Sequence, residues 1–532
     1  MSNQSRFQLQ RVSSSRVLLI SLIGAAIAAL TACGGGGGGG GGGGTATVTP
    51  PTVSTGFPAS ASYAARCAGP RTGIDPTTGR RYTDVQGTLN DEKTWERSWI
   101  DELYLWYREV PNPNPAAYAT AVDYFEVLKT TAVTASGKPK DQFHFVFPTA
   151  DWIALSQSGV EAGYGASWAV IAATPPRKVW VAFTEPSSPA ALATVDRGAQ
   201  ILAVDSVDLV NGSDIDKLNA GLYPTASGQT HTFSILDVGA SAPRTVMLVS
   251  ANVSSTPVQH VTAIPTATGN VGYILFNDHF ATAEAELISA ISQLKAAAVT
   301  DLVLDIRYNG GGYLDIASEL AYMIAGSAAT GGRTFEKLTF NDKYPTTDPV
   351  TGSPLTPTPF HALSLGFSAP VGQPLPFLGL NRVFVLTGAG TCSASESIIN
   401  SLRGIGVQVV QIGSTTCGKP YGFYPADNCG TTYFAIQFRG VNDQGFGDYA
   451  DGFTPGGTGA ANLPGCQVAD DFTHGLGDPS ESRLSAAMTY RTSQTCPAPT
   501  FTTARPQSAR GISGAPVRAS SSPFRDNRIL TR

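Results

Sequence analysis

Three times between about residues 265 and 490 the chain reads as a buried strand, a short glycine-rich loop and a helix, and this recurrence constrains its fold more than any other feature. The strand runs are 301–306, 383–386 and 407–412, apolar enough to be covered on both faces. A strand, a crossover helix and a second strand return the chain in the same direction, so the pattern predicts a mostly parallel sheet. Loops 307–312, 388–396 and 413–419 should then meet at one carboxyl edge, where α/β proteins place their sites.

These loops carry candidate chemistry. Ser393 and Lys419 stand 26 residues apart, with one helix and one strand between them, a spacing that can bring both to one edge. A serine hydroxyl is a poor nucleophile unless a base takes its proton. The loops hold no histidine, so Lys419 is the candidate base. A solvated lysine has a pKa of about 10.4 and must be buried to be neutral at working pH. Its neighbours Cys417, Gly418, Pro420 and Tyr421 permit that. Ser393 near a helix start gives the Ala394 N–H a place as an oxyanion donor, and the glycine loop can offer a second N–H. Two other readings fail on single residues. Gly413 through Lys419 approaches a phosphate-binding loop, but Pro420 stands where its Ser or Thr belongs. Ser393 has no Gly-x-Ser-x-Gly frame, which disfavours an α/β-hydrolase.

The segments Asp305-Ile-Arg-Tyr-Asn-Gly-Gly-Gly, Thr391-Cys-Ser-Ala-Ser-Glu and Thr416-Cys-Gly-Lys, in this order, resemble the core phrases of the carboxyl-terminal processing, or tail-specific, serine proteases. Gly272-Tyr-Ile with Phe276 and Phe280 fits the strand that opens that family's core. The resemblance covers about residues 65–490 and implies an α/β, multidomain fold: a helical N-terminal region, a PDZ-like β-rich domain and an α/β catalytic core. It implies Ser393 as nucleophile in preference to Ser395, and Lys419 as general base. It also implies Gly311 or Gly312 with Ala394 as the oxyanion hole, and Glu396 and Thr416 as supporting groups. Arg307 and Asn309 are expected to brace their loop. The chain departs from the family where many members carry Gln four residues after the lysine, here Phe423, and where others carry Asp eleven after the serine, here Gly404.

The remaining chain divides by composition. Arg6, Arg11 and Arg16 precede an apolar run, 17–30, too short to span a bilayer and of the length of a signal h-region. It ends Leu30-Thr-Ala-Cys33, which resembles a bacterial lipobox with Cys33 as the lipidated residue. Gly34 in place of Asp after it favours the outer membrane of a Gram-negative cell envelope. An unbroken glycine run, 34–44, opens a flexible tether. The expected divisions are 1–32 signal peptide, 33–60 tether, 61–145 helical region, 146–257 PDZ-like domain, 258–497 protease core and 498–532 disordered basic tail. A helix over 90–110 presents Trp95, Trp99 and Leu103 on one face. In the PDZ-like domain, Gly163, Tyr164, Gly165 and Ala166 are the candidate peptide-carboxylate loop.

A formal net charge of −5 gives no polyanion-binding signature, and nucleic acid is not an expected partner. Charged residues are only 14%, a composition common in exported bacterial proteins. With Cys33 assigned to lipid, six cysteines remain, an even number suited to disulfides in an exported chain. Proximity suggests Cys417 with Cys429 and Cys466 with Cys496. No metal or cofactor motif is present. The expected function is a lipid-anchored serine endopeptidase with polypeptide substrates. The alternatives are a non-enzymatic binding lipoprotein on the same fold and a peptide-capturing adaptor.

Overall fold

A computed structural model describes residues 56–75 and 78–497, and the backbone of 527–529. The signal run, Cys33, most of the tether and most of the basic tail lie outside the described residues.

Helix α1, Leu89–Leu103, starts at a reciprocal cap: the Thr88 hydroxyl accepts from the Asp91 N–H, and the Asp91 carboxylate accepts from the Thr88 N–H. Trp95 and Trp99 stack on one face at 5.5 Å and pack against Tyr433 and Phe125. The helix stops at Leu103, not near 110. Tyr104 turns extended, its hydroxyl donates to buried Asp141, and the Leu105 N–H donates to the Ile436 carbonyl. Tertiary hydrogen bonds capture the backbone here before the apolar spacing runs out.

Residues 160–254 form a β-rich module with two short helices. Its main sheet has an open edge at strand β1, Ala166–Ala172, which pairs on one side with Lys178–Thr184. Helix Ile215–Leu222 lies near that edge, and the Trp168 indole of β1 donates to the Leu222 carbonyl.

The core sheet has six strands. Val258–Ile264 pairs antiparallel with β2, Asn270–Phe276. From there β2, β3 (Val299–Asp305), β5 (Arg382–Thr387), β6 (Gln408–Gly413) and Gly465–Gln467 run parallel in that order. A three-residue strand, β4 (Gly311–Tyr313), follows β3 outside this sheet. The sheet is dry on both faces. Ile274, Leu304, Val385 and Val409 face the helical cluster with α1 and α2 (Ala394–Gly404), while Tyr273, Val303, Phe384 and Val410 face helix Ser482–Ser493 and the β-rich module. Each such fully buried side chain contributes about 1.5–3 kcal/mol of transfer free energy. That double burial is why these strands read as continuous apolar runs rather than alternating ones.

Three cysteine pairs lie at disulfide distance, with Cα–Cα separations of 5.4 Å for Cys67 and Cys429, 5.2 Å for Cys392 and Cys417, and 5.5 Å for Cys466 and Cys496. The last pair is the one expected. The expected pairing of Cys417 with Cys429 is replaced, because Cys429 sits at a hairpin turn beside the N-terminal segment while Cys417 faces the nucleophile loop. No helix of the described residues is long and apolar enough to cross a membrane.

Candidate active site

The parallel register sets the three loops side by side: Asp305 pairs with Leu386, and Thr387 with Gly413, so β3, β5 and β6 end level. The first loop is held from below. Arg307 is fully buried and donates to Asp305, Asp470 and Glu481. Tyr308 donates to Asp470 at 2.6 Å, and Arg197 of the β-rich module reaches the same carboxylate at 2.7 Å. The cations around Asp470 hold its carboxyl far below the usual range against the cost of burial.

Asn309 then shapes the turn. Its Oδ1 accepts from the Gly311 N–H at 2.9 Å, its Nδ2 donates to the Phe276 carbonyl, and its own carbonyl accepts from the Cys392 N–H and the Ser395 hydroxyl. Ser395 is thereby engaged as a brace. Ser393 is not: among the described residues its Oγ has no hydrogen-bond partner, although the residue is fully buried. Ser393 caps α2 with φ 59° and ψ −113°, a backbone conformation costing on the order of 1–3 kcal/mol in a residue with a side chain. Such strain at a strand-to-helix junction marks a position fixed by its surroundings.

Glu396, one turn into α2, ties the second loop to the third. Its Oε2 accepts from the N–H of Ser393 at 2.9 Å and from that of Lys419 at 2.8 Å. Its Oε1 accepts from the Gly418 N–H at 2.9 Å and from the Thr416 hydroxyl. Burial pushes the Glu396 carboxyl up, and these donors pull against it. Cys392 and Cys417, at disulfide distance, bring the same two loops together a second time.

Lys419 is fully buried, with its Nζ 4.5 Å from the Phe143 ring centre and 4.6 Å from that of Phe423. The two positions at which the family resemblance implies an orienting polar group are filled differently. Phe423 belongs to an aromatic cluster with Phe145 and Phe434. At Gly404 a Cβ would come within 2.8 Å of the Asn442 side chain, which is itself anchored to Asn400.

Gly311 and Gly312 take different parts. The Gly311 N–H is committed to Asn309. The Gly311 carbonyl and the Tyr313 N–H both bond the backbone of His279, so by the alternation of a strand the Gly312 N–H and carbonyl face the opposite way. Gly312 has φ 132°, which favours glycine. Ala394, the first residue of α2, has an N–H with no partner inside its helix by virtue of its position.

His279 was not singled out by the sequence. It is fully buried, and its Nδ1 lies 3.0 Å from Asn309 Oδ1 and 3.1 Å from the Gly311 carbonyl. Both are acceptors, so Nδ1 carries the proton. Burial lowers its pKa to about 3, leaving a neutral ring. Its place just after the apolar strand β2 is all that the sequence shows of it.

The Gly163 to Ala166 segment joins Val160–Gly163 to β1. The Tyr164 hydroxyl donates to the Gly221 carbonyl at 3.0 Å, and Gly165, at φ 70°, approaches Ser188 so closely that a Cβ would lie 2.3 Å from its Cβ. A pocket here is lined by Gly163, Ala166, Trp168 and Glu185 and, from the core, by Asp278 and Phe280, the neighbours of His279.

Ser393 and Lys419 thus stand on loops joined through one carboxylate, a residue set suited to nucleophilic attack on a carbonyl. In comparison with known proteins, residues 270–422 match Peptidase family S41, and residues 91–143 match the Peptidase S41 N-terminal domain. The core and the preceding helical segment are thus similar to that family. The chain is 27% identical over 241 residues to a carboxyl-terminal-processing protease of Picosynechococcus sp., covering 44% of this chain and 49% of that one. It is 30% identical over 168 residues to the chloroplastic carboxyl-terminal-processing peptidase 1 of Arabidopsis thaliana, covering 30% and 33%. These matches span about half or less of the relatives' lengths. A crystal structure reported as an S41 protease from Bacteroides fragilis shares the fold, with a TM-score of 0.56 at 23% identity, covering 75% of this chain and 97% of that one.

Proposed function

We propose that the protein is a serine endopeptidase in which Lys419 takes the proton of Ser393 and Ser393 attacks a peptide carbonyl. The Gly312 and Ala394 N–H groups receive the developing oxyanion, each such donor contributing about 2.7–4 kcal/mol to catalysis. Lys419 passes its proton to the leaving amine, and water then releases the acyl group by the reverse relay. The observation that carries this reading is the Glu396 carboxylate, which binds the N–H of Ser393 and the N–H of Lys419 through one oxygen.

The substrate is an extended or C-terminal polypeptide segment. The open edge of β1 supports this, since an added strand gains main-chain hydrogen bonds there without unfolding the module. In this reading the β-rich module is PDZ-like and its pocket lies against the core loop that carries His279. Anchoring at Cys33 and residence at the outer membrane complete the proposal, on the charge, run length and lipobox-like quartet of residues 1–33.

Ser393→Ala and Lys419→Ala should each abolish cleavage of an unfolded protein such as β-casein while leaving the circular dichroism and denaturation midpoint near wild type. Retained proteolysis by the pure Ser393→Ala protein refutes the assignment.

A further inference from the structure

The chain's own strand Asn527–Ile529 pairs in parallel with β4, Gly311 with Asn527, Gly312 with Arg528 and Tyr313 with Ile529. It also touches α2, which Ser393 caps, and Tyr421–Gly422, which follows Lys419. Glycine strand, nucleophile helix and base segment thus all border one backbone segment. The other side of β4 is occupied by His279, so the strand lies on the side to which Gly312 turns its N–H and carbonyl.

The register decides which carbonyl lies at the glycine. In a parallel ladder, a residue whose polar groups face the neighbouring strand donates to the carbonyl of the residue before its partner and accepts from the N–H of the residue after it. With Gly312 opposite Arg528, those are the carbonyl of Asn527 and the N–H of Ile529. The N–H assigned to the oxyanion therefore addresses the Asn527 carbonyl.

We infer that the peptide bond between Asn527 and Arg528 is a self-processing site of this enzyme. The inference rests on the Ser393 and Lys419 reading. Lys419 accepts the Ser393 proton as Oγ bonds to the Asn527 carbonyl carbon. The bond to the Arg528 nitrogen breaks, and that nitrogen takes the proton from Lys419. Water then adds to the Asn527 ester, returning a proton to Oγ by way of Lys419. The products are a chain ending in the Asn527 carboxylate and a fragment beginning with the Arg528 amine, with one water consumed. Because strand and site share one chain, the rate should not depend on protein concentration when the reaction is in cis.

The test is intact mass spectrometry of the full chain over time, with Ser393→Ala as control and β-casein cleavage measured in parallel. The expected result is a species ending at Asn527 in the wild type and none in Ser393→Ala. Arg528→Pro, which removes the backbone N–H on the leaving side, should block this loss and leave β-casein cleavage unchanged. A wild type that cuts β-casein but keeps the 527–528 bond, or cuts the tail at a different bond, overturns the inference alone. Failure on both substrates overturns the catalytic reading beneath it.

Discussion

Replacing Glu396 by Gln tests the link between the loops of Ser393 and Lys419, the proposed dyad, with little change of shape. The carboxylate receives four donors, two per oxygen. An amide keeps one acceptor oxygen and presents N–H groups on the other side. If its oxygen stays with Ser393 and Lys419, its nitrogen faces Thr416 and Gly418. The Thr416 hydroxyl can rotate to accept, but the Gly418 N–H is left buried without a partner. One such orphan costs about 1–3 kcal/mol. The reversed amide orphans two N–H groups, those of Ser393 and Lys419, and is disfavoured by as much again. The expected loss of stability is therefore about 1–3 kcal/mol, read as a lower denaturant midpoint at unchanged slope. If the same energy is withdrawn from the positioning of Ser393 against Lys419, kcat/KM falls about 5- to 150-fold, at about 1.4 kcal/mol per tenfold. Peptide hydrolysis by purified Glu396→Gln, followed beside urea denaturation, measures both. A variant with wild-type kcat/KM refutes the idea that this carboxylate sets the dyad.

Other perturbations probe separate parts of the site. The joint substitution Cys392→Ala and Cys417→Ala opens a link between residues 25 apart, worth roughly 3.5 kcal/mol by chain entropy; the melting temperature should fall, and activity should lose its sensitivity to reductant. Arg197→Met removes the side chain that joins Ala182 and Tyr308 to Asp470 and should lower stability by about 1–3 kcal/mol, measured by urea denaturation. Glu319, buried beside Glu284, has its pKa raised to about 9 by burial first and by its neighbour second. The folded state thus holds a proton that the unfolded chain has released. The associated stability is complete below the ordinary carboxyl pKa and is lost as pH rises through about 9. Glu319→Gln should flatten the denaturation midpoint between pH 5 and 9, and an unchanged slope in that variant contradicts the assignment.

The parallel core was legible because its strands are dry on both faces and leave unbroken apolar runs at 301–306, 383–386 and 407–412. The site loops were legible for a related reason: glycine, serine and lysine follow those strands where the sheet edge needs tight turns. The end of α1 was not legible, because it is set by the Tyr104 hydrogen bond to Asp141 and by Leu105 joining Ile436, neither of which has a local signature. Cysteine pairing failed in one case for the same reason. Cys67 lies 362 residues from its partner, and sequence proximity cannot sense a hairpin delivered to the N-terminal segment. His279 was hidden because a lone histidine after a strand looks like any core residue until the glycine loop is folded against it.

Phe423 and Gly404 become intelligible from the way the proposed dyad is held. A side chain that orients lysine is one solution to a positional problem, and backbone constraint is another. Here the Lys419 Nζ lies against the rings of Phe143 and Phe423, its backbone N–H shares an oxygen of Glu396 with the N–H of Ser393, and a cysteine pair lies between the two loops immediately beside them. A Gln at 423 would bury an amide among Phe145 and Phe434, and an Asp at 404 would meet Asn442. The aromatic substitution and the backbone clamp therefore belong together. Restoring Gln at 423 alone should lower activity and stability rather than repair a defect, because the geometry that a glutamine would impose is already imposed by Glu396.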